Sequence, residues 1–234
     1  MTMGKKVIIT GVSRGIGRAI GEKLLEMGWE VIGVSSSPSP LTTFQIDLKN
    51  RREIEKIASQ IGEVDALVNN AGVGYFGQLE NLSLNQIEEM VKVNLLAPLL
   101  LTRLLLPGIK KRRGIILNIG SISGKEPARL GSVYGATKGG LHHFGESLFQ
   151  EVRKEGVKVV TIIPDLTQTP FYRNTFFAPI SKEGYSLKPE NFAQIVEWIF
   201  TLPAEVVPTE ITIRPQFFGI EKKRKKNGGS FRKL

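Results

Sequence analysis

The stretch Val7-Ile8-Ile9-Thr10-Gly11-Val12-Ser13-Arg14-Gly15-Ile16-Gly17 decides the fold. Four β-branched residues in succession read as a strand over Val7–Thr10, and the apolar spacing over Gly15–Met27 reads as a helix. Gly11, Gly15 and Gly17 let the backbone turn tightly and approach a pyrophosphate, which would sit on the positive N-terminus of that helix. The spacing Gly-x3-Gly-x-Gly departs from the commoner Gly-x-Gly-x2-Gly. The plain alternative is a strand-to-helix turn that binds nothing.

Outward from this unit the same alternation repeats. Strands are expected at Val31–Val34, Ala66–Val68, Ile115–Ile119, Val157–Ile163 and Glu210–Arg214. Helices are expected at Arg51–Ile61, about Leu84–Ile109, near Tyr134–Lys154 and near Glu190–Phe200. Parallel strands need long, right-handed crossovers, so the pattern predicts an α/β fold, a doubly wound parallel sheet with helices on both faces. No fixed-period repeat or long linker interrupts it. One domain is expected over residues 1–220, including an irregular loop at 165–187, followed by a basic, solvated tail at 221–234.

Composition narrows the function. The chain has 234 residues, 41% of them apolar and 23% charged, enough to bury a sizeable core. Its net charge of +10 suggests nucleic acid or membrane only until the charge is located, because residues 221–234 hold seven basic residues and one acid. The body shows no basic stripe interleaved with aromatics, so no nucleic-acid partner is expected. The absence of cysteine excludes disulfides and thiolate chemistry and suits a cytoplasmic setting; two histidines, His142 and His143, are too few for a His-based zinc site. The apolar segment Val7–Ile9 is too short for a secretory leader, and Leu95–Leu106, which contains Pro98 and Arg103, is too short to span a bilayer and reads as a buried helix.

Four further segments carry chemistry. Tyr134 and Lys138 stand at i and i+4, so phenol and ammonium share a helix face, and the positive charge would lower the phenol's pKa. By itself such a pair also arises by chance on a surface. Ser121, in Gly120-Ser121-Ile122-Ser123, follows the apolar strand Ile115–Ile119, where ligands bind in an open parallel sheet; the alternative for these serines is a turn or cap. Asn69-Asn70-Ala71-Gly72 ends another strand, and Asn94 lies in a helix otherwise rich in leucine, where an Asn has no packing reason.

Taken together, these residues resemble the short-chain dehydrogenase/reductase family over nearly the whole chain. The Thr10–Gly17 loop, Asn69–Gly72, Asn94, Ser121 and the Tyr134/Lys138 pair occur in the family's order. The resemblance implies a Rossmann-type sheet of about seven strands and hydride transfer between a nicotinamide and a carbonyl or secondary alcohol. In that scheme Tyr134 moves the proton, Ser121 orients the carbonyl oxygen, Lys138 holds the nicotinamide ribose and lowers the Tyr134 pKa, and Asn94 binds a water that links Lys138 to solvent. The cofactor contacts it implies are Gly11, Ser13, Arg14, Gly15, Ile16 and Gly17, then Ser35 and Ser36, Asp47 and Leu48, Asn70, Ala71 and Gly72, Tyr134 and Lys138, and Pro164, Thr167 and Thr169. Asp47 has a competing reading as a helix N-cap. Asp165 stands where most members have glycine.

The end of the second strand reads Val34-Ser35-Ser36-Ser37, with no carboxylate to repel a 2′-phosphate, and Arg14 lies inside the glycine loop; NADP(H) is therefore the expected cofactor, with NAD(H) possible. Arg14 could also be a solvated loop charge. The substrate expected is a small carbonyl or alcohol, of the ketone or aldehyde reductase type or the hydroxy-acid or alcohol dehydrogenase type. Phe171, Tyr172, Phe176 and Phe177 either form an apolar lid over it or pack on the adjoining helix. A dedicated 3-oxoacyl-thioester reductase and a non-catalytic dinucleotide sensor are the alternatives. A homotetramer, or a homodimer, is expected through the Leu84–Ile109 helix and the helix from Tyr134, with no membrane partner.

Overall fold

The computed structural model of the chain describes residues 4–223. Strand β1 (Lys6–Thr10) runs through the glycine loop into α1 (Gly15–Glu26), followed by β2 (Glu30–Ser35), β3 (Thr42–Gln45), α2 (Arg51–Ile61) and β4 (Ala66–Asn69). Next come α3 (Leu84–Val91), a π-helical segment at Lys92–Leu96, α4 (Ala97–Lys111), β5 (Ile115–Ile119), α5 (Ser132–Val152) and β6 (Lys158–Pro164). Strand β7 (Phe177–Pro179), α6 (Pro189–Thr201), β8 (Glu210–Ile213) and β9 (Ile220–Lys222) complete the order.

Seven strands pair in parallel in the order β3-β2-β1-β4-β5-β6-β8, the doubly wound α/β sheet expected. The chain moves outward from β1 to β3 and then returns to place β4 on the other side of β1. That reversal is the topological switch point, and it opens a crevice at the carboxyl ends of β1 and β4. Register aligns the strand ends: Thr10 pairs with Val34, Asn69 with Asn118 and Ile119 with Ile162.

Strands covered on both faces read as unbroken apolar runs because alternate residues feed two cores. Ile8, Leu67, Ile116 and Val159 meet Ile54 of α2, Leu101 and Leu105 of α4 and Leu148 of α5. Ile9, Val68, Leu117 and Val160 meet Ile20 and Leu24 of α1 and Phe192 and Val196 of α6. Each such side chain contributes about 1.5–3 kcal/mol on burial. The run Leu84–Lys111 is long and apolar enough to cross a membrane by length and composition alone. Its Leu101, Leu105 and Ile109 are instead buried in the core, as the sequence reading expected.

Two features depart from expectation. Strand β3, Thr42–Gln45, is not among the expected strands; it is a short, half-exposed edge with no apolar run to announce it. The basic tail begins later than residue 221, because Ile220–Lys222 form β9, antiparallel to β7, and the Lys223 N–H donates to the Phe176 carbonyl at 3.0 Å. Backbone pairing needs no particular side chain, so a charged sequence concealed it. Residues 224–234, the rest of that tail, lie outside the described residues.

Candidate active site

The crevice is a cleft of about 600 Å³ along the carboxyl ends of the central strands. Its floor is built from β1 and β4. The Thr10 hydroxyl accepts the N–H groups of Asn70 and Ala71, both at 3.0 Å, and the Asn70 amide donates back to the carbonyls of Thr10 (2.8 Å) and Gly11 (3.2 Å). Gly11 (φ +74°) and Gly15 (φ +58°) occupy the left-handed region, which other residues enter only at a cost. Gly17 is required for a different reason: a Cβ there would stand 2.2 Å from Asn70 Nδ2 and 2.5 Å from the Gly11 carbonyl. Helix α1 starts at Gly15 with no side-chain cap and no acid in its first turn among the described residues. Its first N–H groups and its positive end are thus available to an anion, which is what a dinucleotide's pyrophosphate requires.

The expected residues Ser121, Tyr134 and Lys138 lie at β5 and α5. Tyr134 and Lys138 project one helical turn apart and are buried, 7% and 3% exposed. Lys138 Nζ donates to the Ile119 carbonyl at 2.8 Å. Burial lowers the ammonium's pKa to about 8. Burial likewise raises the Tyr134 phenol to about 12, with the hydrogen bond to the Ser121 hydroxyl pulling the other way. The expected depression of this phenol by Lys138 is therefore corrected. The rings of Phe76 and Phe171, centred 5.3 and 5.6 Å from that of Tyr134, help to exclude water, and desolvation dominates. Ser121 stands just past β5 in extended backbone, and its hydroxyl also accepts the Ser123 N–H at 3.2 Å, so it serves the turn as well as the cleft.

Asn94 sits within the π-helical segment, fully buried. Its Oδ1 accepts the Val73 N–H at 2.8 Å, while its Nδ2 donates to the Val73 carbonyl at 2.8 Å and to Thr137 Oγ1 at 3.1 Å. A Cβ on Gly72 would lie 3.5 Å from both Asn94 Oδ1 and Lys138 Nζ, so these three residues meet behind the cleft. Both ends of the Asn94 amide are committed to protein partners. As a side chain it braces the Gly72–Val73 loop.

All the remaining expected contacts line the cleft: Gly11, Ser13, Arg14, Gly15, Ile16, Ser35, Ser36, Asp47, Leu48, Asn70, Ala71, Gly72, Ser121, Tyr134, Lys138, Pro164, Thr167 and Thr169. Gly17 lies behind the loop. Asp47 is not the N-cap of α2; Asn50 is, accepting the Arg52 N–H at 3.1 Å, while Asp47 accepts the Lys49 N–H at 2.9 Å. Ser35 Oγ already accepts the Ser37 N–H, whereas Ser36 and Arg14 are exposed. The Asp165 carboxylate folds back onto its own backbone, accepting the Leu166 N–H at 2.8 Å, with Arg214 3.9 Å away. It therefore leaves Thr167 and Thr169 facing the cleft.

The 165–187 loop is more ordered than expected. A short 3-10 turn, Pro170–Asn174, presents Phe171 and Tyr172 to the cleft, with Thr169 capping its start. Phe176 and Phe177 pack on each other (5.2 Å), and Phe177 on Phe76 (5.2 Å) and Tyr172 (5.6 Å), so the rings form a cluster beside Tyr134. Sequence reasoning missed Phe76, whose only signal is its place in the glycine-rich segment Gly72–Gly77. It also missed Lys49 and Glu89, which line the cleft and pair at 3.3 Å from positions forty apart.

The family model for short chain dehydrogenase matches residues 5–177. The chain is 32% identical over 233 residues to the NADP-dependent 3-hydroxy acid dehydrogenase of Salmonella typhi, covering 89% of this chain and 94% of that one. Among solved structures, the alcohol dehydrogenase from the archaeon Thermococcus sibiricus complexed with 5-hydroxy-NADP superposes with a TM-score of 0.81 at 28% identity, covering 91% of this chain and 97% of that one. The closed form of serine dehydrogenase complexed with NADP+ gives 0.79 at 28% identity, covering 94% and 100%. The chain belongs to the short chain dehydrogenase family. It is an oxidoreductase acting on CH–OH groups or the corresponding carbonyls.

Proposed function

We propose that this chain is an NADP(H)-dependent reductase of uncharged ketones or aldehydes with apolar or aromatic flanks, running in reverse as a secondary-alcohol dehydrogenase, in the cytoplasm. The observation that carries this reading is the aromatic roof of Phe76, Phe171 and Tyr172 over Tyr134. A substrate carboxylate needs a cation near the reacting carbon. The loops after β4, β5 and β6 bring none to the cleft among the described residues; its other cations, Arg14 and Lys49, belong to the loops after β1 and β3. Lys138 is turned to the Ile119 carbonyl. Although the Salmonella relative is named for 3-hydroxy acids, this wall favours a neutral, ring-sized substrate.

When bound, the nicotinamide dinucleotide supplies or takes up the hydride. The chain's residues handle the proton and the geometry. A phenol with its pKa near 12 is protonated at neutral pH, so Tyr134 acts as the acid that protonates the carbonyl oxygen, which favours reduction. Ser121 donates a hydrogen bond to the same oxygen and polarises it. Lys138, anchored at Ile119, holds the ribose hydroxyls, and Asn94 keeps the neighbouring loop in place. Ser36 and Arg14 favour a 2′-phosphate, and NAD(H) is the poorer cofactor. Leu84, Val91 and Leu96, 78%, 41% and 43% exposed along the α3–α4 run, support assembly into a homotetramer.

The test is NADPH oxidation with matched pairs of aryl ketones and oxo acids of similar length, together with light scattering. Higher catalytic efficiency on the ketones is expected. Preference for the acids overturns the substrate assignment, and a monomeric mass overturns the assembly.

A further inference from the structure

His142 takes no part in the reaction described above, yet it is buried against its machinery. It follows Tyr134 and Lys138 at i+8 on α5, on roughly the same face, and is 7% exposed. His143, its neighbour, faces solvent. The His142 Nε2 accepts the backbone N–H of Ser121 at 3.2 Å. A ring nitrogen accepts only when it carries no proton, so this imidazole is neutral with its hydrogen on Nδ1. Burial keeps it so, holding its pKa down to about 4; Lys138 and Lys125 push the same way and Glu210 opposes them.

The ring occupies a slot that only glycine leaves open. A Cβ on Gly120 would lie 2.2 Å from Nε2, and one on Gly124 would lie 2.9 Å from Cε1. The Ser121 carbonyl accepts the Gly124 N–H within its own turn, and its hydroxyl accepts the Ser123 N–H as well as meeting the Tyr134 phenol. Among the described residues, the bond to His142 is the one that ties the Ser121 backbone to another element. Helix α5 therefore grips the end of β5 twice, with Lys138 on the Ile119 carbonyl and His142 on the Ser121 N–H, and the same helix carries Tyr134. This double grip joins the helix that carries the phenol to the turn that carries the serine hydroxyl.

We infer that His142 is a positioning residue, which fixes the Ser121 hydroxyl against Tyr134 by accepting the Ser121 backbone N–H. The inference rests on the proposed reductase chemistry, and its test separates the two. Wild type, His142→Gln, whose side-chain carbonyl can still accept, and His142→Leu, which cannot, are compared by three measurements. These are nitrogen NMR of the imidazole with hydrogen exchange of the Ser121 amide, NADPH binding by fluorescence, and steady-state kinetics on an aryl ketone. The wild type should show an unprotonated Nε2 and a protected Ser121 amide. In His142→Leu the amide should lose protection and kcat should fall about ten- to a hundredfold from misplacement of the serine. NADPH affinity and thermal midpoint should change little, and His142→Gln should recover most of kcat. Unchanged kcat in His142→Leu, or equal impairment of both variants, overturns the positioning role alone. A protected Ser121 amide in a wild type that reduces no carbonyl overturns the reductase reading and the role that rests on it. A protonated Nε2 in the wild type removes the hydrogen bond itself.

Discussion

Replacing Lys138 with Met should change how stability responds to pH. The ammonium is 3% exposed, and burial brings its pKa from 10.5 to about 8. At about 1.4 kcal/mol per pH unit, that gap corresponds to roughly 3 kcal/mol against the charged form in the folded chain. Below pH 8 the lysine is protonated folded and unfolded, so the folded chain carries the whole penalty. Between about 8 and 10.5 the unfolded chain keeps a proton that the folded chain has released, and stability rises with pH through this window. Lys138→Met has no such proton at any pH. It also loses the bond to the Ile119 carbonyl, a constant difference that leaves the slope untouched. Urea unfolding can be followed by the fluorescence of Trp29, which packs edge-on against Phe200 at 5.0 Å. From pH 8 to 10 the wild type should gain on the variant by about 1 kcal/mol per pH unit. Parallel stability curves for the two proteins would refute the reasoning, because they would mean that Lys138 titrates normally in the folded chain.

Three further outcomes are expected. Tyr134→Phe should lower reductase turnover by roughly two to four orders of magnitude, the usual worth of a positioned proton donor, with NADPH affinity nearly intact by fluorescence titration; near-normal turnover would remove the phenol from the mechanism. Arg14→Ala, at an exposed position with no carboxylate partner among the described residues, should weaken NADPH binding about tenfold or more, the worth of one charge-assisted hydrogen bond, while leaving NADH binding unchanged; equal losses with both cofactors would show that Arg14 does not read the 2′-phosphate. Asn94→Ala strips both polar groups of Val73 of their partners and should cost about 1–3 kcal/mol in urea unfolding, a figure that an unchanged midpoint would contradict.

How much could be read beforehand follows from where each signal resides. The central strands are legible because a strand buried on both faces is largely apolar, as Val7–Ile9 and Ile115–Leu117 are. Thr42–Gln45 was not, since a half-exposed edge strand needs no such run, and Ile220–Lys222 looked like solvated charge because its pairing is all backbone. Ser121, Tyr134 and Lys138 could be placed together because strand end and helix face are local geometry. Their proton affinities could not, for desolvation of Tyr134 depends on Phe76 and Phe171, rings brought in by two other loops. The same limit hid the partner of Ser121 on the far side of Gly120 and the commitment of the Asn94 amide to Val73.

Strand β9 gives residues 220–223 an influence out of proportion to their distance along the chain from Tyr134. It pairs with β7, and Lys223 reaches back to the carbonyls of Tyr172 and Arg173, so the roof hangs from residues 220–223. Mutations confined to those few codons should reshape the roof while the sheet and Tyr134 stay as they are, which makes them a natural place to diversify a library for new substrates. For the same reason an affinity tag or fusion partner joined just after Lys223 would pull on the roof. One joined ahead of Lys6 would sit at the opposite end of the parallel strands, away from the cleft.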